Sequence, residues 1–317
     1  MKSPVPSPVP SPVPRSPFQG CLTALPTPFQ SARPADGTAS VAAAGPIDYG
    51  ALRGLIERQI QEGIDGLVVA GTTGEAATLS DVERQSLFTF AVGVVGGRVP
   101  VLAGVGTNAT RSTVETALRA TDAGVDGLMV VAPYYNRPSQ TGIARHVEAV
   151  ARSVRLPIVL YNVPSRTAVD LEPETTVALA QSLPNVVAIK EATTPARIQK
   201  LAEHGALDLL CGEDEWIPDG IAAGACGAIS VVSNLAPRAT RDMVQAARDG
   251  DEARALRHAE TLVPLARTLF LETNPAPLKQ ALSLLGLAEN QLRLPLVPVG
   301  GPTLDALRSA LAAAGVS

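Results

Sequence analysis

The stretch VVAIKE, Val186 to Glu191, is a short run of β-branched and small apolar residues that ends in two charged ones. Similar apolar runs recur along the chain, and a segment with helical patterning follows each of them. They are apolar almost throughout, which is typical of parallel strands covered on both faces. We predict eight such strands: Cys21–Pro26, Gly66–Ala70, Val99–Val105, Gly127–Ala132, Pro157–Asn162, Val186–Glu191, Asp208–Cys211 and Gly227–Val232.

The alternation of strands and helices predicts an α/β fold. Strands that alternate with helices form right-handed βαβ units in a parallel sheet. Eight units within about 230 residues favour a closed (β/α)8 TIM barrel, because an open doubly wound sheet usually has fewer strands. The segments Ser80–Glu83 and Ser112–Glu115 both match the S-x-x-E capping box, so we expect them to begin two of the helices.

The chain is predicted to have three parts. Residues 1–17 repeat Ser-Pro and Val-Pro, which favours a disordered Pro-rich tail, and residues 18–250 form the barrel with the active site. Residues 251–317 lack strand patterns and are predicted to form a small C-terminal helical domain. Its expected helices are Glu252–Leu271, Pro277–Leu285 and Thr303–Ala314. A polar stretch, Gln30–Gly45, is predicted to be an inserted surface loop.

The composition is that of an ordinary globular protein, with 317 residues of which 46% are hydrophobic and 18% charged. A net charge of -4 gives no reason to expect nucleic acid or an anionic membrane as a partner, and no apolar run is long enough to span a membrane. Three cysteines on apolar segments predict reduced core residues and a cytoplasmic location. The three histidines are scattered, so we expect neither a metal site nor a cofactor.

Lys190 lies near the end of the sixth predicted strand, where active-site residues of this fold are found. Alternation along the strand places it on the same face as Ala188 and Ala192, whose small side chains leave room for a ligand. Its position alone leaves two interpretations open. Lys190 is either a structural lysine paired with Glu191 or a nucleophile whose amine forms a Schiff base.

Polar side chains also follow the second and fifth strands. The segment GTTGEAATLS, residues 71–80, offers the hydroxyl groups of Thr72 and Thr73 to a carboxylate, although a tight turn also explains it. Tyr161 ends the fifth strand and is either a core tyrosine or a proton relay. Arg166 follows in the next loop and is either a carboxylate clamp or a solvated surface residue.

The segment PYYNRPSQ, residues 133–140, follows the fourth strand, and its adjacent tyrosines Tyr134 and Tyr135 are typical of an interface. All of these groups converge on one end of the predicted barrel. Hydroxyl groups, tyrosines, an arginine and a buried lysine at one end favour a metal-free Schiff-base lyase or aldolase. Its substrate would be a small carboxylated carbonyl compound.

The motifs GTTGE, PYYNRPSQ, YNVPSRT and IKEAT resemble those of the pyruvate-dependent class I aldolase family, the family of N-acetylneuraminate lyase and dihydrodipicolinate synthase. The resemblance runs from about Gly20 to the C-terminus and leaves out the tail and the polar loop. Arg166 favours the synthase branch, because the lyase branch lacks an arginine at this position of the motif. The synthase branch condenses pyruvate with L-aspartate-4-semialdehyde to 4-hydroxy-tetrahydrodipicolinate in diaminopimelate and lysine biosynthesis.

The resemblance implies a role for each catalytic residue. Lys190 would attack the ketone of pyruvate to form an imine and then an enamine. Tyr161 would shuttle protons, linked through Thr72 to Tyr135 of a neighbouring subunit. The assembly would be a homotetramer built as a dimer of dimers.

The resemblance also implies how the two substrates bind. Thr73 would bind the carboxylate of pyruvate, and Arg166 would bind the carboxylate of the semialdehyde. Gly212 and Ile229 would line the pocket with their backbone. Two other functions stay open: an aldolase that cleaves 2-keto-3-deoxy sugar acids, and a non-catalytic pyruvate-binding protein, which is disfavoured because no expected catalytic residue is missing.

Feedback by lysine is a further question that the resemblance raises. Lysine-sensitive members bind the inhibitor at a subunit interface near the GTTGE segment, and Asn108 and Tyr134 match that pocket. The other polar positions of the pocket hold different residues here: Ala76, Asp81, Arg84 and Ser112. A lost carboxylate and an added arginine disfavour a cationic ligand, so we expect the protein to be insensitive to lysine.

Overall fold

A computed structural model describes residues 16–31 and 44–316 of the chain. Most of the predicted tail, residues 1–15, and most of the predicted polar loop, residues 32–43, lie outside the described part. Ser16, which the prediction assigns to the tail, is buried, and its N–H donates a hydrogen bond to Oδ2 of Asp208 at 2.8 Å. The described chain therefore packs against the barrel slightly earlier than the sequence predicts.

Eight parallel strands close into a barrel in sequence order, and the first strand pairs with the last. The structure confirms the eight predicted strands and the (β/α)8 fold. Their bounds are β1 Gly20–Ala24, β2 Gly66–Val69, β3 Val101–Gly104, β4 Gly127–Val131, β5 Ile158–Asn162, β6 Val186–Glu191, β7 Asp208–Cys211 and β8 Gly227–Ser230. Of these, β6 and β7 have the predicted bounds, and the others are shorter or shifted by one or two residues.

Twelve α-helices occur within the described ranges: α1 Tyr49–Gln61, α2 Asp81–Val95, α3 Thr110–Asp122, α4 Gln140–Ser153, α5 Pro164–Thr167, α6 Pro173–Ser182, α7 Pro195–Ala202, α8 Ile217–Ala222, α9 Pro237–Arg248, α10 Glu252–Thr268, α11 Ala276–Leu284 and α12 Gly301–Ala313. The predicted capping box at α2 is confirmed. Oγ of Ser80 accepts the N–H of Glu83 at 3.2 Å, and the carboxylate of Glu83 accepts the N–H of Ser80 at 2.9 Å.

The predicted capping box at Ser112–Glu115 is wrong. Helix α3 begins earlier, at Thr110, and Ala109 occupies the N-cap without a side-chain hydrogen bond. The hydroxyl of Thr113 accepts the N–H of Thr107 at 3.0 Å, which ties the preceding loop to the helix. The sequence match fails because the same residues lie inside the first turns of the helix instead of before it.

Strand alternation sorts the buried side chains into two clusters. One fills the barrel interior and includes Leu102, Val159 and Leu210, and a larger one lies between the strands and the surrounding helices. Burial on both sides explains why the strands are apolar throughout. Tyr161 belongs to the interior cluster and is paired in register with Lys190, so both face the inside of the barrel.

Three helices follow the barrel and confirm the predicted C-terminal helices, with bounds that differ by three residues or fewer at each end. Helix α10 packs against α9 and α12, and α11 packs against α12. None of the helices in the described ranges is both long and apolar enough to cross a membrane.

A buried ion pair ties α11 to the loop that follows β2. Lys279 pairs with Glu75, and both side chains are almost fully buried. Nζ of Lys279 also donates to the carbonyl of Gln291 at 2.8 Å and lies 4.1 Å from the ring centroid of Phe29. Burial lowers the pKa of Lys279 to about 8, although the charge of Glu75 acts in the opposite direction. The N–H of Arg293 donates to Glu75 at 3.0 Å, so the loop is fixed from two sides.

Candidate active site

Lys190 lies inside the barrel near the carboxyl end of β6, with 6% of its surface exposed. Its Nζ lies 4.4 Å from the ring centroid of Tyr161, its neighbour in β5. The lysine ion pairs found in the described ranges involve Lys200 and Lys279 instead. A buried amine without a counter-ion is suited to attack the carbonyl carbon of a ligand.

The structure does not pair Lys190 with Glu191, the structural alternative that the sequence leaves open. Because side chains alternate along a strand, Glu191 points out of the barrel interior. Its carboxylate accepts hydrogen bonds from Nδ2 of Asn162 at 3.1 Å and from the hydroxyl of Thr193 at 2.9 Å. Burial raises the pKa of Glu191 to about 7, and these two hydrogen bonds act in the opposite direction.

A cavity of about 180 Å³ opens beside Lys190 at the carboxyl ends of the strands. It gathers side chains and backbone from β2, β5, β6, β7 and β8 or from the loops after them. Seven of the eight predicted site residues line it: Thr72, Thr73, Tyr161, Arg166, Lys190, Gly212 and Ile229. The cavity therefore brings together the lysine, the hydroxyl groups and the arginine that the sequence singled out separately.

Tyr135 is the predicted site residue that does not line this cavity. The residue is 87% exposed, and its backbone has a φ of 74°, which is uncommon for a residue other than glycine. Its N–H donates to the carbonyl of Thr167 at 3.3 Å, which holds this conformation. The predicted role of Tyr135 in the site of a neighbouring subunit stays a prediction.

Gly212 leaves the space that the side chain of Lys190 needs. A Cβ at this position would lie 2.9 Å from Cε of Lys190 and 2.9 Å from Cβ of Ala192, closer than packed atoms approach. The N–H of Gly212 donates to the carbonyl of Glu191 at 2.8 Å, so the backbone cannot easily move away. Glycine is therefore required here by the packing around the lysine.

Asn274 is a site residue that the sequence analysis did not identify. Its side chain is buried, lines the cavity and donates from Nδ2 to the hydroxyl oxygen of Thr73 at 3.0 Å. This contact occupies only a lone pair of the hydroxyl oxygen. The O–H of Thr73 therefore stays free to donate to a ligand. The two residues are 201 positions apart in the chain, so no local pattern links them.

Two acidic residues beside the cavity were also missed. Asp214 is buried and accepts the N–H groups of Val231 and Val232 at 2.9 and 2.8 Å, which gives it a structural role. Glu213 lines the cavity itself. Within residues 16–31 and 44–316, no group of three or more His, Cys, Asp or Glu side chains is placed to hold a metal ion.

Comparison with known proteins decides the family. The model of the dihydrodipicolinate synthetase family matches residues 17–314. The chain belongs to this family. One curated relative is 4-hydroxy-tetrahydrodipicolinate synthase of Nitratidesulfovibrio vulgaris, 42% identical over 302 residues that cover 94% of this chain and 99% of the relative.

Solved structures of dihydrodipicolinate synthases show the same fold. The enzyme from Aquifex aeolicus is 39% identical and matches with a TM-score of 0.89 over 94% of this chain and 99% of its own. A structure described as a monomeric dihydrodipicolinate synthase variant is 37% identical, with a TM-score of 0.89 over 95% of this chain and 98% of its own. The predicted family and fold are therefore confirmed.

A second cavity of about 340 Å³ adjoins the first in this member of the dihydrodipicolinate synthetase family and shares part of its lining. Three residues expected around a lysine pocket line it: Ala76, Arg84 and Tyr134. Nη2 of Arg84 donates to the carbonyl of Ala76 at 2.8 Å, and burial lowers the pKa of this guanidinium. Asp81 forms an ion pair with Arg119 at 2.9 Å instead of pairing with Arg84.

Proposed function

We propose that the protein catalyses the Schiff-base condensation of pyruvate with L-aspartate-4-semialdehyde to 4-hydroxy-tetrahydrodipicolinate. One observation carries the proposal: Lys190, which is buried and forms no ion pair within the described ranges, shares its cavity with Arg166 and Thr73. Relatives named 4-hydroxy-tetrahydrodipicolinate synthase, 42% identical over nearly the whole chain, support the same reaction. The protein is then an enzyme of the lyase class that acts in diaminopimelate and lysine biosynthesis.

The first step joins pyruvate to the enzyme. The amine of Lys190 attacks the ketone carbon of pyruvate, and the adduct loses water to give an imine. The O–H of Thr73 donates to the pyruvate carboxylate, and Asn274 keeps this hydroxyl in place. Tyr161, whose ring lies beside Nζ, is placed to pass protons to and from the adduct, with Thr72 next in the relay.

The second step forms the new carbon–carbon bond and the ring. The imine loses a methyl proton to give an enamine, whose carbon attacks the aldehyde of the second substrate, and the aldehyde oxygen takes up a proton. The α-amino group then attacks the imine carbon, and the bond to Lys190 breaks, which frees the lysine. Arg166 holds the carboxylate of the semialdehyde through charge-assisted hydrogen bonds.

The proposed assembly is a homotetramer in which Tyr135 completes the proton relay of a neighbouring subunit. The support is its large exposed phenol, which lies outside the cavity of its own chain. One related structure is described as a monomeric variant. Sedimentation of the purified protein tests the assembly, and the expected result is a tetramer. The cytoplasmic location expected from the sequence stays a prediction.

A coupled assay of the purified protein tests the reaction. Pyruvate plus L-aspartate-4-semialdehyde is compared with 2-keto-3-deoxy sugar acids at matched concentrations. We expect turnover of the first pair and no cleavage of the sugar acids. Cleavage of the sugar acids alone would replace the proposal with the aldolase alternative, and pyruvate binding without any turnover would indicate the non-catalytic one.

The variant Arg166→Ala is expected to raise the KM for the semialdehyde about 10- to 100-fold, because one charge-assisted carboxylate contact is lost. Imine formation with pyruvate should remain largely intact. Steady-state kinetics with each substrate varied in turn provide the measurement. Arg145→Ala, which removes an exposed arginine on α4 outside both cavities, is the matched control. Loss of imine formation with an unchanged KM for the semialdehyde would show that Arg166 serves pyruvate and that its proposed role is wrong.

Insensitivity to lysine is the expected regulatory behaviour. The second cavity presents the guanidinium of Arg84, and the position expected to supply a carboxylate is Ser112. Two lost contacts together should raise an inhibition constant on the order of a hundredfold or more. Initial rates across a lysine titration should therefore stay flat up to about millimolar concentration. Clear inhibition below a millimolar would show that the cavity binds lysine without these groups.

A further inference from the structure

Glu213 is the single acidic residue among the described residues that line the cavity of Lys190. It follows Gly212 directly after β7, and its main-chain carbonyl accepts a weak hydrogen bond from Sγ of Cys211 at 3.4 Å. Within the described ranges its side chain takes part in no hydrogen bond or ion pair. Its oxygens therefore stay available for a ligand, and the residue also borders an adjoining space lined by Glu215 and Arg267.

The two acidic residues that follow Glu213 behave differently. Asp214 accepts two backbone N–H groups and is buried behind the site. Glu215 does not line the cavity of Lys190 and pairs with Arg267 at 3.0 Å. Of these three consecutive carboxylates, Glu213 alone lines the cavity of Lys190.

A partly buried carboxylate without a partner is costly, so it requires an explanation. Burial raises the pKa of Glu213, the nearby carboxylates of Asp214 and Glu215 add to the rise, and the positive charges of Lys190 and Arg166 act in the opposite direction. Lys190 and Arg166 are the residues that the proposed mechanism assigns to pyruvate and to the second carboxylate. Neither forms an ion pair with Glu213, although all three line one cavity.

The chemistry of the second substrate matches this arrangement. L-aspartate-4-semialdehyde carries a carboxylate and an ammonium group on the same carbon. The cavity offers a guanidinium for the carboxylate and one free carboxylate for an ammonium group. We infer that Glu213 binds the α-ammonium group of the second substrate and makes the site specific for an amino aldehyde. This inference rests on the proposed function, since it assigns a group of that substrate.

The variant Glu213→Gln tests the inference, because it keeps the shape of the side chain and removes its charge. Its KM for L-aspartate-4-semialdehyde should rise about 10- to 100-fold. Succinic semialdehyde has the same carboxylate and aldehyde but no ammonium group. The inhibition constant of succinic semialdehyde, measured against L-aspartate-4-semialdehyde, should differ by less than about threefold between the variant and the wild type, since no contact to an ammonium group is lost.

Three controls make the result specific. Glu213→Asp keeps the charge and should retain more affinity for the amino aldehyde than Glu213→Gln. Glu215→Gln removes the charge of a neighbouring carboxylate outside the cavity of Lys190 and should change the KM for the amino aldehyde far less than Glu213→Gln does. Borohydride trapping of pyruvate by Glu213→Gln should match that of the wild type.

Each contrary outcome has a distinct meaning. Equal weakening of both aldehydes, or no weakening of either, would overturn the ammonium subsite while leaving the proposed function intact. Loss of pyruvate trapping in Glu213→Gln would show that the carboxylate serves Lys190 instead. A wild-type protein that does not turn over the semialdehyde would overturn both the subsite and the proposed function.

Discussion

Replacing Lys190 with methionine is expected to remove turnover almost completely, with a fall in kcat on the order of 10⁴-fold or more. Methionine keeps an unbranched side chain, but its thioether cannot form an imine with a ketone. The fold should persist, because the wild-type side chain makes no ion pair in the described ranges. The measurement is kcat with both substrates saturating, accompanied by circular dichroism and the melting temperature.

Lys200→Met is the matched control for this variant. Lys200 lies on α7, outside the cavity of Lys190, and forms an exposed ion pair with Glu174 at 2.8 Å. Its activity should equal that of the wild type. A Lys190→Met protein that folds normally and keeps more than about a tenth of the wild-type kcat would rule out a covalent role for the lysine.

Replacing Lys279 with methionine should lower the free energy of unfolding more than any of the other single substitutions described above. The substitution leaves the carboxylate of Glu75 buried without its cationic partner, which costs about 3–5 kcal/mol in the free energy of unfolding. The exposed pair broken by Lys200→Met should cost less than about 1 kcal/mol. Urea unfolding of the two variants beside the wild type gives both values.

A double variant tests the cause of this loss. Lys279→Met combined with Glu75→Gln removes both charges, so it should recover part of the stability that the single variant loses. No difference between Lys279→Met and Lys200→Met in the free energy of unfolding would contradict the importance of the buried pair. The loop that carries Thr72 and Thr73 would then be held mainly by other contacts.

The fold follows from the sequence because its signals are local. Each strand is buried on both faces, so it appears as an apolar run bounded by polar residues, and β6 and β7 were predicted to the residue. The predicted ends of the other strands were less accurate. The runs at Cys21–Pro26 and Gly227–Val232, for example, stay apolar beyond the last residue of the strand. The capping box at Ser112–Glu115 failed because a short match does not show which residue begins the helix.

The sequence predicts those site residues that carry reactive or charged side chains and also lie at the ends of strands. Lys190, Tyr161 and Arg166 carry conspicuous groups at strand ends, and the barrel brings them to one cavity. Asn274 and Lys279 act through contacts with residues about 200 positions away, so neither of them was assigned a role from the sequence. Glu213 lies beside a predicted residue, but its importance depends on which carboxylates find partners, and only the folded chain shows this.

Reduction with borohydride in the presence of pyruvate tests the central claim most directly, namely that Lys190 forms an imine with this substrate. Intact mass spectrometry should show one pyruvate-derived adduct per chain, and peptide mapping should place it on Lys190. The other lysines of the chain, Lys2, Lys200 and Lys279, should stay unmodified, and Lys190→Met should give no adduct. An active wild-type protein that acquires no adduct on Lys190 would contradict the account.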